Sequence, residues 1–218
     1  MIQSIDPAAC TGCGSCTKTC PLDVFRLETA QEQISPCMAA CPAGVDIRGN
    51  HYLIQQGNLD EAARNYLAVQ PFPAITGRVC FHPCESACAR ARVDSAVNIN
   101  AVEHVLGDWA AQMPLEKPVR RHISKVAVVG SGPAGLSCAW FLALMGYPVT
   151  VFEARPFPGG MLRYGIPAYR LPDDVVATQV RRLEEIGVRF CCNTRVGKGA
   201  DVSLAELKRR GYKAIVLA

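Results

Sequence analysis

The sequence predicts an α/β domain built on a parallel sheet, preceded by a small α-helical domain rich in cysteine. Three observations carry that expectation. From Lys125 onward, short β-branched runs alternate with helical periodicities, the pattern of strands covered by crossover helices. Nine of the twelve cysteines lie between Cys10 and Cys88. Charge divides at the same place: residues 1–112 carry 7 Lys+Arg against 11 Asp+Glu, and residues 113–218 carry 16 against 8.

A length of 218 residues suits one large domain or two small ones. Half the chain is hydrophobic and 19% is charged, which excludes an intrinsically disordered chain. No apolar run approaches the roughly 18 residues of a membrane span. The start, MIQSIDPAAC, has neither the basic end nor the apolar stretch of a secretory signal, so a cytoplasmic location is expected. Cysteine makes up about 5.5% of the chain, below the roughly 8–10% of a disulfide scaffold, and regular spacing of cytosolic cysteines points to metal.

Taken in order, residues 1–34 hold a cysteine motif and residues 35–112 a helical unit. In that unit, Asn58 to Val69 reads as a helix, with Asn58 as N-cap and Leu59, Ala62, Ala63, Tyr66 and Leu67 on one face. A second helix, from about Asn98 to Met113, places Ile99, Val102, Leu106, Trp109 and Met113 on a stripe. Glu103 falls on that same stripe, and a carboxylate on an apolar face needs a partner. Residues 113–124, with two prolines and a basic cluster, read as a surface linker rather than a nucleic-acid site, because no aromatics are interleaved. Residues 125–218 then give strands at Lys125 to Gly130, Pro148 to Glu153, Val188 to Cys192 and Lys213 to Ala218. Helices are expected at Pro133 to Met145, Asp173 to Ile186 and Ser203 to Arg210.

CTGCGSCTKTCP places Cys10, Cys13, Cys16 and Cys20 in the C-x2-C-x2-C-x3-C-P spacing of ferredoxins. Two-residue gaps let one loop wrap its thiolates around a 4Fe-4S cubane, whereas zinc usually takes two separated pairs. Cys10, Cys13 and Cys16 are expected to share a cluster whose fourth ligand is Cys20 or a cysteine of the second group. That group comprises Cys37 and Cys41, then Cys80, Cys84 and Cys88. Nine cysteines exceed two cubanes and fall short of three, so two clusters are expected, or more with unusual ligation.

KVAVVGSGPAGL sets Gly130, Gly132 and Gly135 in G-x-G-x-x-G register between strand and helix, with Pro133 and Ala134 opening the helix. Glu153 ends the next strand, eighteen residues after Gly135. This is a Rossmann-like dinucleotide fingerprint: Gly130 for the tight turn, Gly132 for approach to the pyrophosphate, Gly135 for helix–sheet packing, and Glu153 for the ribose hydroxyls. A glutamate there favours FAD or NAD over NADP. Val196, after the third strand, is expected to meet the adenine through its backbone. Cys138, Cys191 and Cys192 read as packing residues.

PCMAACPAGVDI, QPFPAITGRVCFHPCESAC and the helix that follows resemble the N-terminal iron–sulfur domain of the glutamate synthase small subunit family and of dihydropyrimidine dehydrogenase. GSGPAGL with ARPFPGGMLRYGIPAYRLP resembles the FAD-binding half of the same family. The resemblance implies FAD contacts from Ala154, Arg155, Gly160, Met161, Leu162, Arg163, Ile166, Pro167 and Arg170. It implies a non-cysteine cluster ligand at Glu103, beside Cys41, Cys80 and Cys84, with Cys37 and Cys88 near that cluster or bound to its neighbour. A glutamate paired with an arginine is the alternative at Glu103, and His82 is a ligand or a packing residue. One departure stands out: relatives carry a C-x-x-C pair shortly before the position of Cys37, and this chain does not.

The resemblance also implies a second nucleotide domain for NAD(P)H after the last strand, so the sequence is expected to be an incomplete flavin domain, either the N-terminal part of a longer protein or one subunit of a split one. The expected function is electron transfer between FAD and 4Fe-4S clusters, as an oxidoreductase component. Its partners would be other subunits of the complex and an electron carrier such as ferredoxin or NAD(P)H. Competing readings are an assembly subunit with structural clusters and a zinc or redox-sensor module.

Overall fold

A computed structural model describes residues 34–218. The ferredoxin-like spacing at Cys10, Cys13, Cys16 and Cys20 therefore lies outside the described residues.

The helical unit comprises α1 (Pro36–Ala39), α2 (Ile47–Gln55), α3 (Leu59–Val69), α4 (Pro73–Val79), α5 (Pro83–Ser86) and α6 (Ile99–Gln112), with a 3-10 turn at Ala89–Arg92. The side chain of Asp46 caps α2 by accepting from Gly49 N at 2.9 Å, and Asn98 caps α6 through Ala101 N at 3.3 Å. Asn58 stands at the N-cap of α3, but its side chain makes no capping bond. The acidic Asp60 and Glu61 in the first turn of α3 offset its helix dipole instead. Val45, Ile47, Ala62, Ala63, Tyr66, Cys84, Ile99, Leu106 and Ala110 form the core of the unit. Trp109, expected on the buried stripe, is 46% exposed, because its indole Nε1 reaches outward to donate to Asp60 Oδ1 at 2.9 Å.

The α/β unit comprises β1 (Lys125–Val129), α7 (Pro133–Leu144), β2 (Val149–Phe152), α8 (Met161–Tyr164), α9 (Asp173–Glu185), β3 (Arg189–Cys191), α10 (Leu204–Arg209) and β4 (Tyr212–Leu217). The strand order is β3-β2-β1-β4, all parallel. Val128 of central β1 lies opposite Val151 of β2 and Val216 of β4. The covering face of α7 buries Leu136, Ala139, Trp140 and Ala143, each large side chain contributing about 1.5–3 kcal/mol of apolar burial.

The two units share a core. Phe72 and Ile75 belong to the same buried cluster as Val128, Leu136 and Trp140, and the rings of Phe72 and Trp140 meet edge to face at 6.3 Å. Arg182 of α9, 4% exposed, donates to the carbonyls of Ala111 at 3.0 Å and Met113 at 2.7 Å. The connection between the units, expected to be a solvated linker, is pinned at its far end as well. There Arg121 N and His122 N both bond Gly146 O at 3.2 Å, and His122 stacks on Tyr147.

Candidate functional site

Glu103 faces inward from α6 toward α4. Two glycines make that approach possible: a Cβ at Gly77 would lie 2.5 Å from His104 Cα, and one at Gly107 would lie 2.4 Å from Ala74 N. The backbones of α4 and α6 thus pack almost without side chains between them. Thr76 Oγ1 donates to Glu103 Oε1 at 2.5 Å, and Gln70 Nε2 donates to the same oxygen at 3.3 Å. Gln70 is itself fixed by Phe72 N, which donates to its Oε1 at 2.6 Å. Both donors hold Oε1, which leaves Oε2 uncommitted. Among the described residues no arginine pairs with Glu103, and Arg78 forks onto Asp108 at 2.7 and 2.9 Å instead. Burial raises the Glu103 carboxyl pKa, and the bonds from Thr76 and Gln70 oppose that shift.

Burial raises the Tyr66 hydroxyl pKa, and Glu103, Cys41, Cys84 and Cys80 add to that shift. Cys84 is buried in the same core as Tyr66, with Cys41 packed beside them. Burial, with Cys41 and Cys80 close by, pushes the Cys84 thiol up to about 11. The amide of His82 points at Cys80 Sγ at 3.2 Å, a contact typical of sulfur ligands. The His82 ring is occupied elsewhere: Nδ1 lies 3.0 Å from Cys80 O and Nε2 lies 3.7 Å from Glu85 Oε2.

Cys37 packs on the same core as Cys41 and Cys84, and with Cys88 it also faces outward. Cys37 and Cys88 line a cavity of about 540 Å³ with Ser35, Arg48, His51 and Arg90. Ser35 Oγ lies 3.4 Å from Cys37 Sγ, and Val97 N lies 3.5 Å from Cys88 Sγ. Among the described residues, no three His, Cys, Asp or Glu side chains close around a point as one metal ion would need. A cubane carries its own sulfides and takes ligands set wider apart than those of a single metal ion.

The second site sits at the C-terminal end of β1, where the glycines have distinct tasks. A Cβ at Gly130 would lie 2.2 Å from Ala218 O, and one at Gly135 would lie 2.1 Å from Gly130 O, whereas one at Gly132 would meet nothing within 4 Å. Gly130 and Gly135 therefore serve packing, and the space over Gly132 is open. Gly132 is the N-cap of α7 and Pro133 its first residue, so the helix N-terminus, with Ala134 in its first turn, faces the place a pyrophosphate would occupy. Glu153 is 7% exposed. Its Oε2 accepts from Ser131 N at 3.0 Å and from Ser131 Oγ, and its Oε1 accepts from Arg155 N at 2.8 Å. Ionised carboxylates have about four acceptor positions, so Oε1 keeps one for a ribose hydroxyl.

The loop after Glu153 is drawn onto the glycine turn. Gly159 N donates to Ser131 Oγ at 3.0 Å, and a Cβ at Gly160 would lie 2.7 Å from Gly132 Cα. Arg155, next to the exposed Ala154, lies over the Tyr164 ring at 4.5 Å, and Arg163 lies over the Phe157 ring at 4.6 Å. Met161, Pro167 and Arg170 are exposed and Ile166 is half-buried. Leu162 belongs instead to the core beneath, beside Val128 and Leu136. Val196 bridges Val202 and packs on the small core of Ala127, Phe152, Val202 and Leu207, in the segment whose Thr194 N bonds Glu153 O at 2.9 Å. Sequence reasoning missed Gln70, Thr76 and Ser131, whose roles depend on partners distant along the chain.

Residues 29–115 match the protein family described as dihydropyrimidine dehydrogenase domain II, 4Fe-4S cluster. Residues 1–22 match a 4Fe-4S binding domain, and residues 128–177 match an NAD(P)-binding Rossmann-like domain. The chain thus carries 4Fe-4S domains joined to a Rossmann-like domain. It is 40% identical to the NADPH-Fe(3+) oxidoreductase subunit beta of Geobacter sulfurreducens, over 91% of this chain and 30% of that protein. It is 35% identical to the NADP(+)-dependent formate dehydrogenase subunit beta of Moorella thermoacetica, over 84% of this chain and 29% of that protein. It is 36% identical to the NAD-dependent dihydropyrimidine dehydrogenase subunit PreT of Salmonella typhimurium, over 84% of this chain and 45% of that protein. The chain spans less than half the length of these curated relatives. No helix among the described residues is long and apolar enough to cross a membrane.

Proposed function

We propose that this chain is the electron-transfer part of an NAD(P)H-linked oxidoreductase, holding FAD at the Gly132 site and 4Fe-4S clusters in the helical unit. When bound, flavin exchanges electron pairs and each cubane exchanges single electrons, which lets a hydride's two electrons leave one at a time. The residues of the chain bind and orient. The α7 N-terminus and Gly132 receive the pyrophosphate, Glu153 Oε1 accepts from the ribose, and the 154–170 loop lies where the flavin's outer part would extend. Cys41, Cys80, Cys84 and Glu103 hold one cluster. Cys37 and Cys88 contribute to another, and Cys10, Cys13, Cys16 and Cys20 supply ferredoxin-type ligation.

The observation that carries this reading is the half-buried Glu103 carboxylate on the apolar stripe of α6, held through one oxygen by Thr76 and Gln70. Core packing alone gives no reason to bury such a group. The shared core between the two units supports direct passage of electrons between the sites, because it keeps them in one body. NADH versus NADPH, the terminal substrate and the partner subunits belong to the rest of the assembly, for which the names of the relatives suggest NAD(P)-linked dehydrogenases. Iron, acid-labile sulfide and flavin absorption, measured on the protein in its native complex, test the proposal: about four sulfides per cluster with bound FAD are expected. Bound zinc without sulfide would overturn it.

A further inference from the structure

The connection of residues 113–124 does more than span the two units. Held by Arg121 N and His122 N on Gly146 O, it lies so close to the turn after α7 that a Cβ at Gly146 would come 2.7 Å from Val119 O. There it forms one wall of a cavity of about 440 Å³ at the N-terminal ends of β1, β2 and β3. Gly132 and Glu153 stand at the opposite end of these strands.

Four cations line the cavity, Lys117 and Arg120 from the connection, Lys125 from β1 and Arg189 from β3, against the single carboxylate of Glu184. All four are exposed, and among the described residues none of their side chains makes a hydrogen bond or ion pair. Other surface arginines are paired, as Arg64 is with Glu61, Arg90 with Asp94 and Arg210 with Glu206. Gathering four like charges into one concavity raises their mutual repulsion and focuses a positive field there, and the fold gains nothing from it. A partner with negative charge accounts for the arrangement. Base-stacking sites need free aromatic faces, whereas the two rings that line this cavity are engaged: Tyr147 stacks on His122 and Tyr212 meets Phe152 edge to face. Guanidinium groups suit carboxylates, which they bind in bidentate pairs.

We infer that this groove is a docking site for an acidic polypeptide segment of a partner subunit. The inference is independent of the cofactor assignments, since none of the groove's residues belongs to either cofactor site.

The test uses the full-length protein in its native complex. Zero-length carbodiimide coupling should join Lys117 or Lys125 to an Asp or Glu of another subunit, identified by peptide mass spectrometry. Links confined to carboxylates of this chain, or no link at either lysine, would overturn the inference. Lys117→Glu with Arg189→Glu should weaken the affinity for that subunit about tenfold at low salt and flatten its salt dependence, with iron, sulfide and flavin contents unchanged. Lys198→Glu with Lys208→Glu makes the same change of charge outside the groove and should keep the parent affinity. Equal weakening by both pairs would mean attraction to net charge alone and would overturn the docking site, as would an affinity that neither pair alters. Binding of inorganic triphosphate or a single-stranded oligonucleotide that the groove variant loses, while the partner subunit stays bound as in the parent, would assign the groove to phosphate and overturn it too. If the groove variant does not fold, the cross-links in the parent protein decide.

Discussion

Ser131 and Glu153, twenty-two residues apart, are locked together at the mouth of the dinucleotide site, with Ser131 N and Oγ both donating to Glu153 Oε2. The same hydroxyl accepts from Gly159 N, so one small side chain fixes the ribose-facing carboxylate and the turn that leads into the flavin loop. Ser131 is fully buried, and an alanine fits there. Ser131→Ala should weaken FAD binding about tenfold, the loss of roughly one net hydrogen bond. Flavin fluorescence titration would show it, and an unaltered affinity would mean that the backbone alone orients Glu153.

The glycine turn allows a sharper separation of fold from function. Gly132→Ala places a methyl in the open space over the helix N-terminus, where nothing lies within 4 Å and φ is −68°. Thermal stability should stay within about 0.5 kcal/mol of the parent, while FAD is lost because the pyrophosphate can no longer approach. Gly135→Ala drives its Cβ to 2.1 Å from Gly130 O, and should cost about 1–3 kcal/mol of stability. Equal losses of stability in the two variants would contradict this division.

Arg182 ties the end of α6 to α9 through two main-chain carbonyls. Arg182→Leu leaves both acceptors without their charged donor and should lower stability by about 3 kcal/mol. Because Phe72 and Ile75 still join the units, the transition should broaden rather than split. Calorimetry of the two proteins reads both effects.

What the sequence made legible follows from the range of the interactions. The strands from Lys125 onward are short Val-rich runs with glycine turns, and their alternation with amphipathic helices is a local signal. Glu103 could be noticed because it interrupts an apolar stripe. Gln70 and Thr76, which hold it, come from 33 and 27 residues away, and nothing in their own neighbourhood marks them. The helices α1, α2, α4 and α5 also escaped a periodicity reading. Three of them are seven residues or shorter, and α4, which buries Pro73, Ala74 and Ile75, also packs on α6 through Gly77. The division of the cysteines was partly readable, since the grouping of Cys41 with Cys80 and Cys84 follows from resemblance, while the packing of Cys41 and Cys84 in one core with Tyr66 is a property of the fold.

His51 supplies a pH dependence. Its Nε2 is enclosed without a partner, and burial lowers its pKa, so the folded chain favours the neutral ring. Below the usual imidazole value of about 6.5 the unfolded chain takes up a proton that the folded chain resists. The unfolded state then binds more protons, and stability falls as pH drops through that value toward the lowered one. Replacing the ring by leucine should flatten the change in urea midpoint between pH 7.5 and 5.5. An identical slope in parent and His51→Leu would place the dependence on other groups.

Cys84 and Cys88, one helical turn apart in sequence, are expected to serve different clusters. Cys84 is buried beside Tyr66 and Cys41, whereas Cys88 opens into the cavity that it shares with Cys37, His51 and two arginines. The short α5 and the turn after it redirect the chain between them, with Glu85 Oε1 fixing the junction by accepting from Asn100 N at 2.8 Å. The two sites also differ in charge: a carboxylate at one, and Arg48 with the Arg90–Asp94 pair at the other. Cys84→Ser and Cys88→Ser should therefore remove different components of the reduced EPR spectrum, each with about four irons lost per chain at most. Loss of the same component from both variants would show that the two thiols share one cluster and that the separate cavity is not a second ligand site.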